Sequence, residues 1–454
     1  MATVRVLIPT GALGLGYDRQ ALERGVASQP DIIAVDGGST DSGPAYLGRG
    51  QSKYSRATVK AEWRELMIAR AKAQVPLVIG TAGTSGADSA VDWMWDITRE
   101  LAEELGQTLR VARLYSGQNP GKIADAFGAG RIISLPAAPA VDAGVIRSCT
   151  NIVALAGAEQ VQAALATGAD IVIAGRTTDT AIIAALPLMC GCNAGGAWHG
   201  AKIGECGALA TTNPASGTIL ITFDATGFTV EPMGATARAT PYTVSAHMLY
   251  ENSDPYLLYE PGGVLDVTEA KYKALDDRRV RVEGSVWRSG KHSVKLEGAR
   301  IAGYQTVSLT LVRDRRYIAG IRDWVAGIEA RARADIAQRM NIGPEDYGIE
   351  IRLIGLDATL GGLETREVTP AEVGVLAIAT APSEAEATEI GKILNPYLLH
   401  HALTADEPMP TFAFPFSPAE MSRGALYEFV LHHIIELDDP MAVFRLVTED
   451  IGHG

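Results

Sequence analysis

Short apolar runs alternate with longer amphipathic stretches through the first half of the chain. Val4 to Thr10, VRVLIPT, reads as a buried strand that ends in a Gly-rich turn, Gly11 to Gly16, and is followed by a helix through the twenties. The same beat then repeats. It predicts strands at Asp31 to Val35, Leu77 to Ile79, Leu109 to Leu114 and Ala169 to Ile173, with helices at Trp63 to Ala73, Ser89 to Leu105 and Ile152 to Thr167. Short apolar strands separated by full-length helices imply right-handed βαβ crossovers, hence an α/β fold with a mostly parallel sheet and flanking helices.

After Val280 the texture changes. Val294 to Val312 alternates as one or two long strands and Ile318 to Met340 patterns as an amphipathic helix. Strands at Ile349 to Ile354 and Val373 to Ala379 and a helix at Ser383 to His400 complete the series. Such an order predicts a smaller two-layer α+β domain. The expected division is therefore an α/β domain over residues 1–285 and an α+β domain over 286–454.

A chain of 454 residues, 47% hydrophobic, exceeds one compact core and shows no long polar tail. Its formal charge of −13 argues against nucleic acid and anionic membrane, which need concentrated Lys and Arg. No apolar run approaches the roughly 20 residues of a membrane-spanning helix. Four cysteines, unevenly placed, are too few to staple a chain of this size, so a protein of the reducing cytoplasm is expected.

A parallel sheet gathers the loops that leave its strand ends on one edge, which is where ligands bind. Three predicted loops of this kind are rich in Gly, Ser, Thr and Asp. The first carries Asp36, Ser39, Thr40 and Asp41, the second Thr81, Thr84 and Ser85, and the third Arg176, Thr177, Thr178 and Asp179. Small residues admit a ligand to the backbone, and hydroxyls and amides ahead of a helix suit a carboxylate or phosphate. Arg176 could grip a carboxylate through two parallel hydrogen bonds. Ser, Thr and Asp are also ordinary helix caps, and each loop has that reading too.

Within Trp198 to Gly207, helical spacing would set His199, Lys202 and Glu205 on one stripe with Cys206 beside it. A Lys or His against a carboxylate is equipment for proton transfer; the alternative is a solvated helix face with a small buried Cys. Met233 to Pro261 mixes polar and aromatic residues and could roof the crevice, with His247 either a further catalytic candidate or a structural histidine. Gly11, Gly14 and Gly16 run in the reverse of dinucleotide-loop spacing, and Cys190-Gly-Cys192 lacks a second zinc-spaced pair. No cofactor and no metal are expected.

These motifs taken together resemble the acyclic terpene utilisation (AtuA-like) family. The resemblance rests on Asp36 to Gly48, Ser55 to Lys60, Ile79 to Gly83, Ala174 to Asp179, Trp198-His199 with Glu205-Cys-Gly207, and Ala246 to Asn252, supported by Tyr259 to Asp266 and Val294 to Ala299. It spans at least residues 30 to 360. It implies catabolism that runs over acids and CoA thioesters, and a small companion protein. The chemistry expected is that of a metal-independent lyase, hydratase or isomerase acting on a small carboxylic acid or its CoA thioester, in a homo-oligomer. The alternative is a non-catalytic binding or scaffold subunit that works only with its companion.

Overall fold

The computed structural model describes residues 2–452. The chain forms two compact units, one of residues 1–300 with 429–454 and one of residues 301–428.

The larger unit is built on a ten-stranded sheet. Its centre is parallel, in the order Val4–Ile8, Ile32–Asp36, Leu77–Gly80, Ile171–Ala174, Leu109–Tyr115. These strands are apolar on both faces because both faces are covered. Val6, Ile8, Ala34, Val78 and Val172 point into one layer, packed by helices Ala158–Leu165, Ala181–Met189 and Ala194–Gly204. Leu7, Ile33, Val35, Ile79 and Ile173 point into the other, against helices Arg19–Ala27, Arg56–Ala73 and Asp88–Leu105. Each Val, Leu or Ile side chain among these contributes about 1.5–3 kcal/mol when fully buried. A bond of 2.9 Å from the Trp63 indole nitrogen to the Thr98 hydroxyl ties two helices of that second layer inside their apolar contact.

The sheet as a whole is mixed, which corrects the expectation of a mostly parallel one. Ile219–Phe223 runs antiparallel to Val4–Ile8, and Gly227–Pro232 follows it as a hairpin. The short link between those two strands leaves no room for a crossover, so only antiparallel pairing is open to them. Val280–Glu283 and Lys271–Ala274 extend that side, while Arg445–Ile451 closes the opposite edge antiparallel to Leu109–Tyr115. A second correction concerns Ile152 to Thr167. Ile152 belongs to the strand Cys149–Ala154, paired with residues Leu296 to Arg300, and the helix begins only at Ala158. The β-branched Ile152 and Val153 suit a strand, and their partner lies far along the chain.

In the smaller unit, Gly348–Ile354 pairs with Val373–Ala381, which pairs with residues Tyr304 to Val312 of a long strand. Helices Ile321–Arg339 and Glu384–His400 bury Trp324, Ile328, Ile390 and Leu394 against this sheet. It is a two-layer α+β unit. Among the described residues, no helix is long and apolar enough to cross a membrane.

Candidate functional site

Four loops leave the carboxyl ends of adjacent parallel strands and border a cavity of about 510 Å³ in the larger unit. They follow Val4–Ile8, Ile32–Asp36, Leu77–Gly80 and Ile171–Ala174. The loop after Leu77–Gly80 is bent by Thr81 and Thr84, both with positive φ (44° and 77°), a conformation rare for Thr and held here by neighbouring structure. Gly86 sits in the same bend because a Cβ there would lie 2.2 Å from the Arg176 backbone nitrogen. The Gly-rich turn after the first strand is also committed: the Gly14 and Gly16 amides donate to Glu62 at 2.6 and 3.0 Å. Those amides are not free for a phosphate.

Seven of the sequence candidates line the cavity: Asp36, Ser39, Asp41 and Thr84 from the strand-end loops, then Asp179, Glu205 and Cys206. Glu205 and Cys206 arrive at the end of helix Ala194–Gly204, where Gly207 turns the chain with φ +61°; a Cβ there would meet the Gly217 carbonyl at 2.5 Å. The other candidates stand behind this surface. Thr40 donates to Glu297 at 3.0 Å. Thr81 and Thr177 are fully buried, their hydroxyls 3.5 Å apart, and the Ser85 side chain is buried as well. Thr178 shares a 3.0 Å hydroxyl contact with Thr180, which donates to Glu260.

Arg176 and His199 have roles different from those expected. The Arg176 guanidinium is buried and bonds to Glu297 at 3.1 Å, to the Thr177 carbonyl at 2.9 Å and to the Thr81 hydroxyl at 3.2 Å. Its carboxylate partner is therefore the protein's own Glu297. Burial alone would raise Glu297, but Arg176 and Lys295 hold it near 2. His199 is wholly buried, bonded to the Ser285 hydroxyl at 2.7 Å and to the Tyr272 hydroxyl at 3.2 Å, with Phe228 edge-on. Burial pushes its pKa down to about 3, so it stays neutral. It is a core histidine.

The stripe on helix Ala194–Gly204 is thus a buried one. Lys202 donates to Glu205 Oε1, and each side chain is only 5–6% exposed. Burial works against the Lys202 ammonium, but Glu205 holds its pKa above the usual lysine value. Burial also lifts Glu205, to about 8, despite Lys202, with Asp179 and Glu260 adding repulsion. The two shifts compete for one proton. The charged ammonium is the firmer assignment, because it serves several carboxyls, and the proton belongs to that acidic group as a whole.

Asp36 and Asp179 form the second acidic centre. Burial, then the charge of Asp179, raises Asp36 well above the usual carboxylate range against the pull of Arg176. Burial likewise raises Asp179, which remains 28% exposed at its side chain and is thus open to the cavity. Among the described residues, five carboxyl side chains line the cavity (Asp36, Asp41, Asp179, Glu205, Glu251), with Lys53 the only cation. Lys53 donates to the Ser42 hydroxyl at 3.0 Å and pairs with no carboxylate among the described residues. Tyr250 and Glu251 reach the cavity from the Met233 to Pro261 segment expected to roof it, whereas sequence reading missed Lys53 and Tyr54; a lysine after the strand-end loop was the available signal.

The raised acids set a pH dependence. Glu205 and Glu260, the latter lifted to about 7 by burial, are protonated more readily folded than unfolded. Their contribution to stability is whole below an unfolded carboxyl value of about 4.3 and is lost as pH rises through 7 and 8. The melting temperature should fall between about pH 5 and about pH 8. Glu260→Gln should flatten that fall. A melting temperature that stays level across this range, in parent and variant alike, would count against these buried protons.

A somewhat larger hollow, about 600 Å³, lies beside Tyr115, Asn119 and Phe444. The Gln118 amide there is already committed, donating to the carbonyls of Ser116 and Val443. The acidic cavity is the better candidate. Among known proteins, residues 49–416 match the family model described as "Acyclic terpene utilisation family protein AtuA". No curated protein and no solved structure matches the chain.

Proposed function

Since the chain belongs to the acyclic terpene utilisation (AtuA) family, and since its cavity is lined by carboxyls that include Asp36 and Asp179, both raised by burial, we propose that it is a lyase, hydratase or isomerase. Its substrate in this reading is a small carboxylic acid or the CoA thioester of one. The carrying observation is the Asp36–Asp179 pair: two raised carboxyls at one cavity wall, one of them open to it.

Two such groups cannot both ionise easily, so one carries a proton while the other is a carboxylate. Asp179, the more open, takes a proton from the carbon beside the acyl or carboxylate group, and Asp36 behind it holds the shared proton. Glu205 is less suited to this step, with 6% of its side chain exposed and one oxygen occupied by Lys202. Lys53 supplies the charge for a substrate carboxylate. With five acids around it, the site favours a singly charged acid, or a thioester whose reacting end is neutral.

The test is solvent exchange. Incubated in D₂O with hydroxy acids, α,β-unsaturated acids and their CoA thioesters, the protein should place deuterium beside the carbonyl of at least one of them, read by NMR. A full panel without exchange or water addition would overturn the reading.

A further inference from the structure

We propose that Glu205, Cys206 and His247 form a binding site for a divalent transition-metal ion of the zinc class. The three residues each present one ligand atom, and these atoms lie within 4.8 Å of one another. In a tetrahedral site with bonds of about 2.0–2.3 Å, ligand atoms stand roughly 3.5 Å apart, so side-chain movements of about 1 Å would close this one. Among the described residues it is the single group of three such side chains.

A second observation points the same way. His247 is 6% exposed, and its Nε2 is buried with no hydrogen-bond partner. A buried imidazole nitrogen left unpaired is costly, and a metal bond would satisfy it. The ring is held in place by stacking on Tyr250, centroids 5.5 Å apart and planes within 12°. Helix Pro241–His247, with a Thr240 cap that accepts from the Thr243 amide at 3.1 Å, delivers it.

The donor set selects the ion. Thiolate, imidazole and carboxylate together suit Zn²⁺, whereas an all-oxygen set would suit Mg²⁺ or Ca²⁺. On binding, the Cys206 thiol would release its proton to solvent and coordinate as thiolate. Lys202 bonds to Glu205 Oε1, which leaves Oε2 for the ion. The nearby Lys202 ammonium opposes a dication, and the Cys206 thiolate formed on binding, together with the Glu205 carboxylate, supplies the negative charge that offsets it. Glu205 and Cys206 line the cavity, so three protein ligands would leave the fourth position to water or a substrate oxygen. The ion would also offset the excess of acids over Lys53.

The proposal departs from the expectation of metal-independent chemistry, which rested on spacing along the chain. Cys190 and Cys192, the pair that spacing drew attention to, take no part: one is exposed and the other points its sulfur at the Ala2 carbonyl, 3.8 Å away. The inference does not depend on Asp179 as base.

The test is metal content rather than turnover. The full chain, stripped by chelator and then dialysed against Zn²⁺, should retain one zinc, measured by plasma mass spectrometry. Cys206→Ser and His247→Gln should each weaken retention by about tenfold or more. Loaded instead with Co²⁺, the parent should show a thiolate-to-cobalt charge-transfer band that Cys206→Ser lacks, with circular dichroism confirming that the variants fold. Asp179→Asn should bind zinc as the parent does, so loss of the metal site and loss of the proton-transfer reading are told apart. A parent that retains no zinc, or variants that retain it undiminished, would overturn the proposal.

Discussion

Asp179→Asn should lower turnover by roughly 10² to 10⁴ while leaving the fold and KM near their parent values. The amide keeps the shape of the carboxyl and most of its hydrogen bonding, but it has no basic oxygen. Stability should hold or rise slightly, because burial and neighbouring charge already disfavour an ionised Asp179, and a neutral group removes that cost. Its contact with Arg176 is long, 3.5 Å, so little is lost there. In the parent, kcat should climb with pH through a value above that of an ordinary carboxyl, since burial raises the Asp179 carboxyl that must act as base. The variant should lose this rise along with its rate. A parent-like kcat in Asp179→Asn would remove Asp179 from the chemistry and return attention to Glu205.

The second large effect is expected on stability. Arg176→Met should cost about 3–5 kcal/mol in denaturant unfolding, because it leaves Glu297 charged, buried and without its guanidinium. Lysine would recover only part of this, since it cannot reach Glu297, Thr81 and the Thr177 carbonyl at once. Joining Glu297→Gln to Arg176→Met should restore much of the loss, giving a coupling that a double-mutant cycle would read directly. Had Arg176 been the substrate clamp that its loop suggested, the single change would spare the fold and raise KM. A parent-like unfolding midpoint for Arg176→Met would refute the structural role.

These two residues show how far local sequence carries. The loop holding Arg176 and Asp179 was legible because Gly, Thr and Asp follow an apolar strand, and strand ends of a parallel sheet converge. Glu297, the partner that takes Arg176 out of the binding surface, lies 121 residues away on another strand, and nothing near either residue announces the pairing. His199 shares that problem. Its helical spacing to Lys202 and Glu205 was sound, but whether that stripe meets solvent, core or cavity depends on Ser285 and Tyr272. The central strands were readable from continuous apolar runs that burial on both faces demands. The antiparallel flanks were not, because Ile219–Phe223 and Gly227–Pro232 include Thr222, Thr229 and Glu231 and lack that signature. Glu205, Cys206 and His247 were each singled out, but their approach to one another was not legible for a similar reason, since two of them follow one helix and the third ends another.

The strand Arg445–Ile451 seals one edge of the large sheet by pairing with Leu109–Tyr115, more than three hundred residues earlier. During synthesis, then, the backbone of Leu109–Tyr115 stays unpaired on one side until more than three hundred further residues have left the ribosome. For that interval it is an adhesive edge, open to strands of neighbouring nascent chains. Arg110 and Arg113, which later bond to Asp450 and Glu449, give the waiting edge a positive charge that repels its own copies. The ion pairs that finish the sheet are also, earlier in the life of the molecule, its guard against self-association.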